Sequence, residues 1–173
     1  RLGLLDERDD SADQNIWESG LTLSEAMEGR PEAVRAGTFN QLVTRLTSAK
    51  ATDISFLKTF LMTYQSFATP RKLLIKLIQR YQVPAQSSFA RDPQGAAMSA
   101  DDWRLRVVMP IQMRVTNVLK QWIKEYFHDF QRRPKLLQML HHFVDHTLPD
   151  SGQPSLARSL SRTLEAQLAT LGG

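Results

Sequence analysis

The side chains best suited to chemistry in this sequence are its four histidines, His128, His141, His142 and His146. His142 and His146 stand four residues apart, so they would share one face of a helix, and with Asp145 beside them they could ligate a metal ion. Structural metal sites require a closed set of ligands, and no ligand beyond these is obvious in the sequence. We therefore predict no metal site here.

Catalytic arrangements of other kinds are also missing from the sequence. There is no cysteine, which excludes disulfides, thiolate nucleophiles and cysteine-ligated metal clusters. No nucleophile-elbow sequence is present, and no glycine-rich loop could cradle a phosphate. The carboxylate pair Asp101-Asp102 lies at a predicted helix start, where the helix dipole accounts for it. We expect no catalytic residue and no cofactor, so the chain alone is predicted not to be an enzyme.

Nucleic acid and membrane spans are disfavoured as well. The basic pairs Arg71-Lys72 and Arg132-Arg133 lack the interleaved aromatic residues of a nucleic-acid surface. No run approaches the roughly 18 apolar residues that a membrane span needs. Residues 1–13 are acidic and polar, unlike a signal peptide. The sequence predicts a cytoplasmic protein that does not bind nucleic acid.

The net charge of +4 hides an asymmetry along the chain. Residues 1–35 carry 9 acidic and 4 basic side chains, a net of −5, whereas residues 36–173 carry 9 acidic and 18 basic ones, a net of +9. This division fits an acidic tail over a basic surface, or a basic face for phosphate or lipid headgroups. It equally fits ordinary solvated helix faces. The charge distribution therefore leaves open a transient, peripheral association of the protein with the inner face of an anionic membrane.

Helical periodicity dominates from residue 38 to the first proline-rich connector. After Thr38, a good N-cap, apolar residues recur at i, i+3, i+4 and i+7. Asp53 can cap a second helix, and Thr69 followed by Pro70 predicts the start of a third. Val83-Pro84 ends the third helix, and residues 84–98 form a polar connector that we expect to be mobile.

The second half of the chain shows the same period. Ser99, with Asp102 three residues later, predicts another helix start, and Pro110 should kink or split that helix. Pro134 begins the next helix, and residues 149–152 predict a turn before a last, leucine-rich helix from residue 154. No stretch alternates like a strand. The sequence therefore predicts an all-α fold, a single bundle of about six helices.

The predicted core follows from these apolar stripes, because aromatic and aliphatic residues at helical spacing are most often buried. Its members are Leu42, Leu46, Phe60, Leu61, Tyr64, Phe67, Leu77, Tyr81, Val115, Trp122 and Phe130.

The order of several blocks resembles the Ras exchanger motif, the N-terminal domain of Ras-family guanine-nucleotide exchange factors of the Son-of-sevenless type. The most recognisable block is residues 59–70, Thr-Phe-Leu-Met-Thr-Tyr-Gln-Ser-Phe-Ala-Thr-Pro. Residues 111–115 (Ile-Gln-Met-Arg-Val) and 127–130 (Phe-His-Asp-Phe) follow at similar spacing. The resemblance implies an exchanger-motif domain at 36–147, between an acidic, partly mobile extension at 1–35 and a C-terminal helix at 148–173.

The resemblance also implies partners. In this family a catalytic domain of the same polypeptide inserts a helical hairpin into the GTPase and releases GDP, while the N-terminal domain helps to hold that hairpin. In Son-of-sevenless-type exchangers the N-terminal domain also contributes to a distal site for a second GTPase. The matching positions here are Met113 and Arg114. The catalytic domain is absent from these residues, so the last helix is expected to dock either on the bundle or on that domain.

Two other functions stay open from the sequence. A free-standing adaptor could use the same helices to bind a Ras-family GTPase without exchange chemistry. A basic helical module could instead bind a membrane surface through the region of net charge +9.

Overall fold

A computed structural model describes residues 15–17, 39–49, 53–85 and 99–172. Every regular element in these ranges is helical, and the all-α prediction is confirmed. The expectations for the Thr38 cap, for most of residues 1–35 and for most of the connector lie outside these residues. The helices are α1 (Phe39–Leu46), α2 (Ile54–Thr63), α3 (Pro70–Tyr81), α4 (Ala100–Trp103), α5 (Met109–Glu125), α6 (His128–Gln131), α7 (Pro134–His142), α8 (Leu148–Asp150) and α9 (Pro154–Gly172).

Three helices begin at the caps that the sequence predicts. The Asp53 carboxylate accepts a hydrogen bond from the Phe56 N–H at 3.0 Å, and the Thr69 hydroxyl accepts from the Lys72 N–H at 3.1 Å. The Ser99 hydroxyl likewise accepts from the N–H of Asp102 at 3.1 Å. Each cap satisfies one of the backbone donors that a helix start leaves without an intrahelical acceptor.

Pro110 and Pro149 lie at the second position of their helices, and each follows a π-helical turn. The turn Arg104–Val108 precedes Pro110, and the turn Phe143–Thr147 precedes Pro149. A proline ring would clash with the carbonyl four residues earlier, and a wider turn provides room for it. The prediction of a turn starting at Pro149 is therefore wrong by two residues. Pro149 belongs to α8, and the chain turns at Ser151 and Gly152, where Gly152 has a φ of 81°.

The chain divides into two compact units, Arg1–Val115 and Thr116–Gly173. In the first unit, the Phe60 ring lies at the centre of an aromatic cluster. Its centroid is 6.2 Å from that of Phe39, 6.0 Å from that of Tyr64 and 6.1 Å from that of Phe67. Phe67 is half-buried, unlike the other predicted core residues, which are all buried. It follows the 3-10 turn Tyr64–Ser66 and meets the cluster with its ring tilted 67° to that of Phe60.

The second unit is built around Trp122. This ring is fully buried, and its centroid lies 4.5 Å from that of the Phe130 ring. The Trp122 Nε1 donates to the Asp129 carboxylate at 2.9 Å. Helix α9 contacts α8 and the π-helical turn Phe143–Thr147. Its Leu160 and Leu164 side chains are buried. These contacts favour docking of the last helix on its own unit. Among the described residues, no helix is long and apolar enough to cross a membrane.

Candidate partner-binding site

Met113 lies on the outward side of α5, and Arg114 lies beside the buried face. Ile111 and Val115, one turn apart on the same helix, are both fully buried and fix which face points inward. Met113 is 39% exposed, and Arg114 is half-buried. The structure therefore places the two predicted residues beside each other at the surface, on a helix whose orientation is set by buried neighbours.

Gln112 connects this part of α5 to the end of α3. Its Nε2 donates to the Tyr81 carbonyl at 3.0 Å, and the Gln112 side chain is buried. Carbonyls in the last turn of a helix lack an intrahelical donor. The Tyr81 carbonyl accepts from the Val83 N–H at 3.0 Å, and Gln112 adds a second donor to it. The bond holds the register of α5 against α3 next to Met113 and Arg114. Sequence reasoning missed this role, because a single glutamine in a helix carries no sequence pattern that predicts a buried hydrogen bond.

The Arg114 side chain has an unsatisfied donor. Its Nε is buried and has no hydrogen-bond partner among the residues that the structure describes. A guanidinium offers its Nε and one terminal N–H as a fork that matches a carboxylate. Since the Nε is buried, an incoming acidic side chain would contact only the exposed part of this half-buried side chain, through a charge-assisted hydrogen bond.

Other exposed side chains precede this position along the chain. Leu105, in the π-helical turn before α5, is 62% exposed, and Arg104 and Arg106 on either side are also exposed. These exposed residues, which precede Met113 by seven to nine positions, combine apolar area with positive charge. Such a surface suits an acidic protein partner with some apolar area.

The remaining candidates for chemistry do not assemble into a catalytic site within the described residues. His142 and His146 are exposed, with ring centroids 4.8 Å apart. No group of three or more histidine, aspartate or glutamate side chains in these ranges could hold a metal ion. In the second unit, a groove of about 440 Å³ is lined by Arg158, Arg162 and Asp145, together with apolar residues.

Burial lowers the pKa of Arg80, on α3, from its ordinary value to about 9. The guanidinium is fully buried, yet it keeps its charge at neutral pH. Its Nε donates to the Thr47 hydroxyl at 2.8 Å. Sequence reasoning gave Arg80 no role, although it follows Leu73 and Leu77 at helical spacing, which places it on their buried face.

The chain is similar to known proteins over most of its length. A family model described as the RasGEF N-terminal motif matches residues 33–143. "Ras guanine nucleotide exchange factor J" of Dictyostelium discoideum is 41% identical over 148 residues, which cover 86% of this chain and 17% of that protein. "Protein son of sevenless" of Drosophila melanogaster is 31% identical over 144 residues, 73% of this chain and 9% of that protein. The chain therefore spans less than a fifth of the length of these relatives.

Proposed function

Since the chain belongs to the RasGEF N-terminal motif family, we propose that it is the regulatory N-terminal domain of a guanine-nucleotide exchange factor for a Ras-family GTPase. In this role it supports a catalytic exchange domain of the same polypeptide and performs no catalysis itself. The observation that carries the proposal is the family match over residues 33–143. Leu171, near the end of α9, is 46% exposed and available for contact with that domain.

The test is GDP release by the full parent protein, with and without residues 1–173. A panel of Ras-family GTPases loaded with a fluorescent GDP analogue serves as substrate. We expect release to slow when residues 1–173 are removed, because the catalytic domain loses the surface that supports it. Circular dichroism of the shortened protein checks that it is folded. Unchanged release by a folded, active protein would contradict the supporting role and favour the GTPase-binding adaptor.

The same domain is proposed to bind a second GTPase through Met113 and Arg114. The exposed Met113 side chain can adapt to an apolar partner surface, because methionine is unbranched and flexible. A carboxylate of the partner would form a charge-assisted hydrogen bond with the exposed part of the half-buried Arg114 side chain, which is worth more than a neutral hydrogen bond. This site would be separate from the GTPase that undergoes exchange.

Replacing Met113 and Arg114 together by alanine is expected to weaken binding of the second GTPase by tenfold or more, roughly 1.4 kcal/mol. Arg114→Lys alone should lose part of this affinity, since an ammonium lacks the planar array of N–H donors of a guanidinium. Titration calorimetry with the GTP-bound and GDP-bound GTPase gives the affinities.

The matched control is Gln121→Ala, at an exposed position of the same helix. It should leave the affinity unchanged. If the double variant binds as tightly as the Gln121→Ala control, the second GTPase does not use this surface.

A further inference from the structure

Residues 15–17, which we call the N-terminal anchor, are held against α3 although more than 60 positions separate them in sequence. The Ile16 side chain is fully buried, and the Ile16 N–H donates to Oε1 of Gln79 at 3.1 Å. The indole Nε1 of Trp17 donates to the Gln79 main-chain carbonyl at 2.8 Å. Gln79 thus receives two hydrogen bonds from the anchor, one on its side chain and one on its backbone.

The Trp17 ring also covers a buried cation. The Arg80 guanidinium carbon lies 4.6 Å from the ring centroid, in the geometry of a cation–π contact. Below the ring, Arg80 donates to the Thr47 hydroxyl and, at 3.5 Å, to the Thr47 carbonyl. A desolvated cation–π contact is among the stronger non-covalent contacts of a charged side chain, so Trp17 is a major part of the environment of Arg80.

A turn within the anchor itself preorganises it. The Asn15 side-chain oxygen accepts a hydrogen bond from the Trp17 N–H at 3.0 Å, which closes an Asx-turn. This local bond fixes the backbone over three residues without help from α3. A short peptide that already favours its bound conformation loses less entropy on docking.

The charges of the two partners are complementary. Residues 9–18 carry four acidic side chains and no basic one, whereas α3 carries four basic side chains and no acidic one. Two of the four, Lys76 and Arg80, are buried, and the Lys76 ammonium donates to Gln79 Oε1 at 3.4 Å. An acidic peptide is therefore attracted to this helix over a longer range than the direct contacts cover.

We propose that the Gln79–Arg80 face of α3 is a docking surface for an acidic peptide with an Asn-Ile-Trp core, occupied here in cis by residues 15–17 of the same chain. The surface recognises isoleucine by burial, tryptophan by its indole donor and its ring over Arg80, and the peptide backbone through Gln79. When the anchor detaches from α3, the docking surface becomes free, and a separate peptide can bind there in trans. The proposal does not depend on any GTPase.

The test uses the full chain and a fluorescent synthetic peptide of residues 9–20. In the Trp17→Ala chain the cis anchor loses its indole hydrogen bond and its ring contact with Arg80, and we expect the peptide to bind in trans. The wild-type chain should bind the same peptide about 100-fold more weakly, because its own anchor competes for the site. Fluorescence anisotropy gives both affinities, and circular dichroism checks the fold of each chain.

A second variant covers the case in which Trp17→Ala impairs folding. Trp17→Phe keeps a ring over Arg80 and removes only the indole donor, so the chain should stay folded and admit the peptide with an advantage of about tenfold over wild type. A peptide carrying Trp17→Ala, with the rest of its sequence unchanged, is the matched control and should not bind. Equal binding of the peptide to the wild-type and variant chains would overturn the proposal. So would an absence of binding to both folded variants.

Discussion

Replacing Trp122 by alanine is expected to lower the free energy of unfolding by about 3–5 kcal/mol, the range for removal of a buried aromatic side chain. The indole is fully buried, and its ring centroid lies 4.5 Å from that of Phe130. Truncation would remove these contacts and leave a cavity that α5 and α6 can refill only in part. Since small domains are stable by roughly 5–15 kcal/mol, this single change would remove a large share of the total.

The Trp122 variant also affects a buried carboxylate. Asp129 is 1% exposed, and its Oδ2 accepts from the indole Nε1 at 2.9 Å. Trp122→Phe keeps most of the ring and removes this donor, which should cost about 1–3 kcal/mol for a buried polar group that loses a partner. Comparing the phenylalanine and alanine variants separates the hydrogen bond from the packing.

Urea unfolding followed by circular dichroism measures these losses. The urea concentration at the midpoint should fall, and the dependence of the unfolding free energy on urea should stay unchanged if the native state stays compact. Gln121→Ala, at the preceding and exposed position, should stay within about 0.5 kcal/mol of wild type. Equal losses for the alanine and phenylalanine variants would show that the Asp129 hydrogen bond, and not ring packing, supplies the stability. A loss below about 1 kcal/mol for alanine would contradict the central role of Trp122.

Phe60→Ala is expected to destabilise the first unit by a similar amount, about 3–5 kcal/mol. The Phe60 ring is 4% exposed and is the one shared by the ring pairs with Phe39, Tyr64 and Phe67. Stacked and edge-to-face pairs add about 0.5–1.5 kcal/mol each beyond the burial of apolar area. Removing the central ring therefore weakens several pairs at once.

Two further variants make the Phe60 measurement specific. Phe60→Leu keeps most of the apolar volume and loses the ring geometry, so it should cost less than about half as much as alanine. Met62→Ala, on the same helix and 70% exposed, should change stability by less than about 0.5 kcal/mol. Thermal unfolding provides a second measure alongside urea. If the leucine variant were as unstable as the alanine variant, the aromatic pairs would outweigh simple apolar burial.

Much of the local structure could be predicted from the sequence because it depends on neighbours in the chain. Asp53, Thr69 and Ser99 cap helices through hydrogen bonds to residues three positions away. Apolar residues three and four positions apart define which face of each helix is buried. The order of the blocks at residues 59–70 and 111–115 resembles one family, to which the family match assigns the chain.

For the candidate site, the sequence predicted which residues form it but not whether they are exposed. The resemblance indicated Met113 and Arg114, but a methionine at helical spacing is as compatible with a core as with a surface. Its exposure follows from Ile111 and Val115, which turn the opposite side of α5 inward, and from the Gln112 bond to the Tyr81 carbonyl. The position of the two π-helical turns likewise had no sequence signal beyond the prolines that follow them.

The sequence by itself determined the helical class, the helix starts and the buried stripes, because each depends on spacings of three or four residues. Helical spacing places Lys76 and Arg80 on the face of Leu73 and Leu77, but only the tertiary structure decided that these two charged side chains are buried there. Only the tertiary structure, again, brought Trp17 onto Arg80 from more than 60 positions away. Periodicity shows which face of a helix turns inward, whereas the group that covers that face depends on how distant segments pack.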